Sequence, residues 1–201
     1  MTISEVKLTD KNPRHYSGIS SCSAQNVHVN GGEFTITLER LTTIIDFVSK
    51  YSVKQTVVRK WAKSIATLIH KLNRCGYYHE EINMANCGRD INGVWKFCSA
   101  KSIKKLSSAP APEKGKSPVH HKTILNLIRV IVLLYGMPKE EPWDLQRFKK
   151  NNSEVAKLLA LMNKYKLPKI LQDVIFTVAF DKQIEISAVL KMDYFKGVKK
   201  E

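Results

Sequence analysis

Apolar and polar residues alternate through Glu33-Phe34-Thr35-Ile36-Thr37-Leu38-Glu39-Arg40, just after Gly31-Gly32, and this period of two predicts a half-buried hairpin strand. The first 30 residues, rich in Ser, Asn and Thr and without a helical period, read as irregular structure with one or two strands. Leu41 to Tyr51 then place Ile44, Ile45, Phe47 and Val48 on one side, which predicts a short amphipathic helix. From Val53, apolar positions recur at three- and four-residue steps (Val57, Val58, Trp61, Ile65, Leu68, Ile69, Leu72). They predict a long helix over 53–75, with Gly76 where a C-terminal cap belongs.

Residues 77–98 begin as a polar segment and continue as Cys87-Gly88-Arg89, the turn Asp90-Ile91-Asn92-Gly93, and Val94-Trp95-Lys96-Phe97. Asn-Gly between two short strands marks a β-hairpin. Residues 99–120, with Ala109-Pro110-Ala111-Pro112 and five lysines, are expected to be a loop without regular structure. Thr123 to Tyr135 is apolar nearly all round and stops at Gly136, the pattern of a buried central helix too short to cross a bilayer. After a loop with Pro138, Pro142 and Trp143, Ser153 reads as an N-cap ahead of Glu154, with Val155, Leu158, Leu159 and Met162 on one helical face. Two more helices fit, from Pro168 to about Phe180 and from Ser187 to Phe195. Together these elements describe an α-dominated α+β domain.

Composition narrows the setting. At 201 residues and 43% hydrophobic, the chain can bury a single sizeable core. It has no apolar run of about 18 residues and no hydrophobic leader core, so neither a membrane nor a secreted location is expected, leaving cytoplasm or nucleus. Cys22, Cys75, Cys87 and Cys98 form no C-x-x-C pair and are expected as reduced thiols. A net charge of +15 favours acidic proteins or polyanions as partners. The lysines are spread along the chain without a polybasic arm, so nucleic acid is a lesser alternative.

The segment Tyr78-His79-Glu80-Glu81-Ile82-Asn83-Met84-Ala85-Asn86 resembles the protein-kinase catalytic loop H-R-D-x-x-x-x-N, with His79, Glu81 and Asn86 in register. It follows a long amphipathic helix and precedes a hairpin, as that loop does in kinases. The likeness extends over residues 30–196. Phe34 to Leu41 resembles the last N-lobe strand and hinge, 41–51 helix D, 53–75 helix E and 122–136 helix F. Ala111-Pro112-Glu113 spells the A-P-E that closes an activation segment, and Leu167 to Phe195 resembles the final helices. The resemblance implies a kinase C-lobe over 34–196, a remnant of N-lobe strands in 1–33 and a basic tail in 197–201.

The departures bear on function. Kinases need a glycine-rich loop, a strand lysine and a D-F-G aspartate on Mg²⁺. The residues before the hinge-like strand contain neither G-x-G-x-x-G nor a V-A-I-K-like lysine. The D-F-G place is taken by Ser99-Ala100-Lys101 in ungapped alignment, or by Lys96-Phe97-Cys98 in a shifted one, and neither has an aspartate. Glu80 replaces the loop arginine and Glu81 the base aspartate. Lys122 stands where helix F normally opens with an aspartate, and Glu185 stands where the family has the arginine that pairs with the A-P-E glutamate, here Glu113.

The expectation is therefore a catalytically inactive, kinase-like protein that binds another protein, a kinase or kinase substrate, and modulates signalling as a viral or effector mimic would. His79 and Asn86 are expected to act as turn and cap formers. Lys101, Lys104, Lys105, Lys114 and Lys116 form the densest basic loop and, with Trp143, are the candidate partner contacts. Cys75, His79, Cys87 and Cys98 have atypical spacing for zinc, and their thiols read as core residues, so no metal and no cofactor are called for. Arg129, inside the apolar helix, should be paired or should reach for water. An atypical ATP-dependent phosphotransferase using Glu81 and Asn86, and a basic nucleic-acid module, are the alternatives.

Overall fold

A computed structural model describes residues 4–8, 24–30, 33–38, 41–98, 102–108, 118–141, 145, 148 and 151–197. Along the chain run strands β1 (Ser4–Leu8), β2 (Ala24–Asn30), β3 (Glu33–Leu38) and β4 (Thr42–Thr43), then helices α1 (Ile44–Val48) and α2 (Gln55–Arg74). Four short strands follow: β5 (Tyr77–His79), β6 (Cys87–Arg89), β7 (Trp95–Phe97) and β8 (Ile103–Lys105). A 3₁₀ turn over Leu106–Ser108 leads to α3 (Val119–Leu134), α4 (Asn152–Lys164), α5 (Lys169–Phe180) and α6 (Ile186–Val189). The class is α+β, with helices and small antiparallel sheets, ordered β1-β3-β2, β4-β6-β7 and β5-β8, among the described residues.

The strand expected at Glu33 lies between β1 and β2, with Ile36 opposite both Val6 and Val27. Local chemistry explains the helix ends. Thr43 Oγ1 accepts from Asp46 N at 3.2 Å and the Asp46 carboxylate accepts from Thr43 N at 3.2 Å, a capping box that starts α1. The helix expected from Leu41 to Tyr51 is shorter because residues 42–43 pair with β6 instead. On α2, Val58, Trp61, Ile65, Leu68, Ile69 and Leu72 are buried along one stripe, and Gly76 at φ +81° ends the helix in the left-handed region. A cap on α4 comes from Asn151, whose Oδ1 accepts from Glu154 N at 3.0 Å, two residues before the expected Ser153.

Three further expectations need correction. Residues 99–120 are not without regular structure, because Ile103–Lys105 pair with Tyr77–His79 and bury Ile103. The central helix starts at Val119 rather than Thr123, since His121, polar in the sequence, is buried with Nε2 2.7 Å from Val178 O. The last helix is a single turn, Ile186–Val189, followed by turns in which Tyr194 and Phe195 are fully buried. Arg59 holds those turns, donating to the carbonyls of Asp193, Tyr194 and Lys196.

α3 is the centre of the core. Ile124, Leu127, Ile128 and Ile131 are fully buried, and α3 packs against both α2 and α5. Each such side chain stabilises the fold by about 1.5–3 kcal/mol relative to exposure. Arg129 reaches off this helix, as expected, and donates to Lys139 O at 2.6 Å and Glu141 O at 3.4 Å. The positive charge thereby meets two carbonyls that follow the helix instead of lying bare in the core.

Candidate functional site

The loop from His79 to Asn86 is suspended between two strand pairs. β5 enters it beside β8, and the ladder continues one residue further, with Glu80 N donating to Ser102 O at 2.8 Å. β6 leaves it beside β7, and Cys98 N donates to Asn86 O at 2.9 Å. α3 holds the middle from below, through Thr123 Oγ1 to His79 O at 3.4 Å and Asn126 Nδ2 to Glu80 O at 3.2 Å. From the other side Ile45 N donates to Met84 O at 3.1 Å, tying α1 to the loop.

Within the loop the side chains of His79, Asn83 and Asn86 bond to its own backbone. His79 is fully buried, its ring 4.5 Å from that of Phe97, and its Nδ1 accepts from Glu81 N at 3.2 Å. Asn83 Oδ1 accepts from Ala85 N at 2.9 Å and Asn86 N at 2.8 Å, a side-chain turn that closes the loop. Asn86 Nδ2 donates to Glu81 O at 3.1 Å and reaches Glu81 Oε2 at 3.5 Å. The three residues singled out in the sequence, His79, Glu81 and Asn86, thus lie together. Asn83 was not singled out in the sequence, although asparagine is a turn-forming residue type, whereas Thr123 and Asn126 carry no local signal because they arrive from a helix some 40 residues away.

The hairpin beside the loop is fixed by Asp90. Its Oδ1 accepts from Val94 N at 2.8 Å and Asn92 N at 2.9 Å, and its Oδ2 lies 2.8 Å from Lys96 Nζ. Burial alone would raise the carboxyl's pKa, but Lys96 and the two N–H groups outweigh it and hold it below the usual value. Gly93, at φ +78°, completes the turn, as Asn-Gly predicts.

No protein-family model and no curated protein matches this chain. What it can do chemically is argued from its own residues.

The remaining sequence candidates are dispersed. Lys104 and Lys105 are exposed on β8, a strand rather than the expected loop. Ser99, Ala100, Lys101, Lys114, Lys116 and Trp143 lie outside the described residues. Of the thiols, Cys87 is buried, Cys98 half-buried, and Cys75 exposed at the end of α2, so Cys75 is not a core residue as expected. Burial, with Cys98 beside it, pushes the Cys87 thiol well up; burial and the Asp46 carboxylate push Cys98 up to about 11. Both are protonated at neutral pH, unlike a thiolate nucleophile or metal ligand. Among the described residues no three His, Cys, Asp or Glu side chains gather as a metal-holding group. No described helix is long and apolar enough to cross a membrane.

Proposed function

We propose that this chain is a catalytically inactive, kinase-like protein that works by binding another protein and modulating a kinase or its signalling. The observation that carries this is the His79–Asn86 loop. It sits between a long amphipathic helix and a hairpin, as the kinase catalytic loop does, with the His79, Asn83 and Asn86 side chains bonded to the loop's own backbone. Phosphoryl transfer is almost entirely positioning and electrostatic stabilisation of phosphate charge. The residues around this loop supply the reverse. Glu80 and Glu81 are carboxylates where an arginine and an aspartate would stand, and neither alignment of the D-F-G place provides an aspartate for Mg²⁺. Lys122 opens α3's second turn with a cation in place of a bracing carboxylate. Such a scaffold retains a loop for recognition while lacking the groups that hold metal-bound nucleotide.

The test is thermal melting with and without millimolar Mg²⁺–ATP. A ligand that binds only the folded state at 100 times its Kd stabilises it by about 2.7 kcal/mol, so binding cannot be silent. No shift is expected. A Mg²⁺-dependent rise that disappears in Asn86→Ala would overturn the inactive reading and make Glu81 the next residue to substitute.

A further inference from the structure

Four segments distant in the sequence meet around a cavity of about 270 Å³. His70, Asn73 and Arg74 line it from α2, the last two lying three and four residues after the first and so on one helical face. His120 enters from the first turn of α3, and Glu185, Ile186 and Ser187 from the start of α6. Leu106 completes the lining, held beside the end of α2 by its N–H, which donates to Gly76 O at 2.8 Å. None of these residues belongs to the His79–Asn86 loop, so the cavity is separate from the kinase-like site.

The lining carries charges of both signs. Arg74, exposed in the last turn of α2, is in no ion pair among the described residues, and neither is Glu185. Glu185 is the N-cap of α6, yet its side chain makes no capping bond; its Oε2 accepts from Ser187 Oγ at 3.2 Å. A guanidinium and a carboxylate thus share one cavity without closing on each other. Two further polar atoms of the lining residues, Asn73 Oδ1 and His120 Nε2, are buried without a hydrogen-bond partner among the described residues. In folded proteins such atoms are nearly always satisfied, by water or a ligand where protein groups do not reach. Asn73 Oδ1 only accepts, so what it needs is an N–H or O–H donor. Half-buried Leu106 and buried Ile186 add an apolar wall.

We infer that this cavity binds a free α-amino acid, its carboxylate against Arg74, its ammonium against Glu185 and Asn73 Oδ1, and a small apolar side chain against Leu106 and Ile186. A lone anion would have Glu185 against it and a lone cation Arg74, whereas a zwitterion meets each wall charge with its opposite. The planar guanidinium can take a carboxylate through two parallel N–H bonds, which gives the recognition its direction. Volume sets the size, since drug-sized ligands occupy about 300–1,000 Å³ and this cavity is smaller.

The experiment is thermal melting of the full chain with each standard L-amino acid at about 10 mM, followed by calorimetric titration of any that raises Tm. At least one with a small apolar side chain should bind. Its N-acetyl and carboxamide derivatives, each lacking one charge, should bind roughly tenfold or more weakly. They also represent the last and the first residue of a peptide, so equal binding of either would overturn the free amino acid as occupant. Arg74→Gln and Glu185→Gln should each lose roughly tenfold or more in affinity. Lys169→Gln and Asp173→Asn, which make the same charge changes at exposed positions on α5 outside the cavity, should bind as the wild type does. No rise in Tm with any amino acid, binding that survives both cavity variants, or a loss shared by the α5 variants would overturn the proposal. If a cavity variant does not fold, the derivatives on the wild-type chain decide. The result is independent of the Mg²⁺–ATP test, which bears on the His79–Asn86 loop alone.

Discussion

Replacing Asp90 separates the ion pair in the hairpin from the turn it closes. The wild-type carboxylate makes three charge-assisted contacts, to Lys96 at 2.8 Å, Val94 N at 2.8 Å and Asn92 N at 2.9 Å. Hydrogen bonds to charged groups contribute about 1.5–3 kcal/mol each, but residues 92 and 94 are exposed, so water replaces much of the loss. Asp90→Ala should therefore cost about 2 kcal/mol in total. Asp90→Asn keeps an oxygen for both N–H groups and loses only the charge, so about half of that is expected. For a domain of this size each kcal/mol moves Tm by about 2–4 °C. Urea unfolding followed by tryptophan fluorescence is a direct assay, because Trp95 lies on the next strand and contacts Trp61.

The pH dependence is the sharper part. Asp90 has a folded pKa below its unfolded one, so its contribution is fully present above the unfolded value of about 3.9 and is lost as pH falls through the folded value. The stability gap between wild type and Asp90→Asn should stay constant from about pH 7 to 5 and shrink only below about pH 4. A gap under about 0.5 kcal/mol at pH 7, or one that closes between pH 7 and 5, would refute the claim that the carboxylate charge organises this hairpin.

Two further outcomes are expected. His121 is held neutral chiefly by burial, with His120 and Lys182 acting in the same direction against the Val178 carbonyl and Asp181; its folded pKa is lowered. The stability it contributes is complete above the unfolded pKa of about 6.5 and is lost as pH falls below it, so His121→Gln should flatten the urea-midpoint slope between about pH 6.5 and 5. An unchanged slope would mean that other groups govern it. At Gly88, an added Cβ would sit 2.9 Å from both Leu41 Cβ and Thr42 O, and a backbone atom cannot swing aside. Gly88→Ala should push β4 off β6 and cost about 1–3 kcal/mol in urea unfolding, with wild-type stability as the contrary result.

Elements with a long local period were readable from residue order alone. The stripe from Val58 to Leu72 made α2, and the all-round apolar run made the buried α3, because a helix face repeats every few residues and needs no distant partner to be recognised. The Asp90–Gly93 turn was equally legible, since asparagine and glycine state a backbone conformation by themselves. His79, Glu81 and Asn86 were found by spacing, and they do lie together.

β5 and β8 were missed because each is only three residues long, too short to show a period, and each exists only through pairing with the other across the loop and hairpin. The same long-range closure buried His121 against α5 and so moved the start of α3. It also brought Thr123 and Asn126 under the loop. A groove between α2 and the hairpin was likewise beyond one-dimensional reading. Lys60, Lys63 and Lys71 belong to lysines spread along the sequence, and only packing sets Arg89 and Trp95 opposite them. Residue types and short spacings specify local backbone states, whereas a surface shared by two elements comes into being only when the core has set their distance and angle.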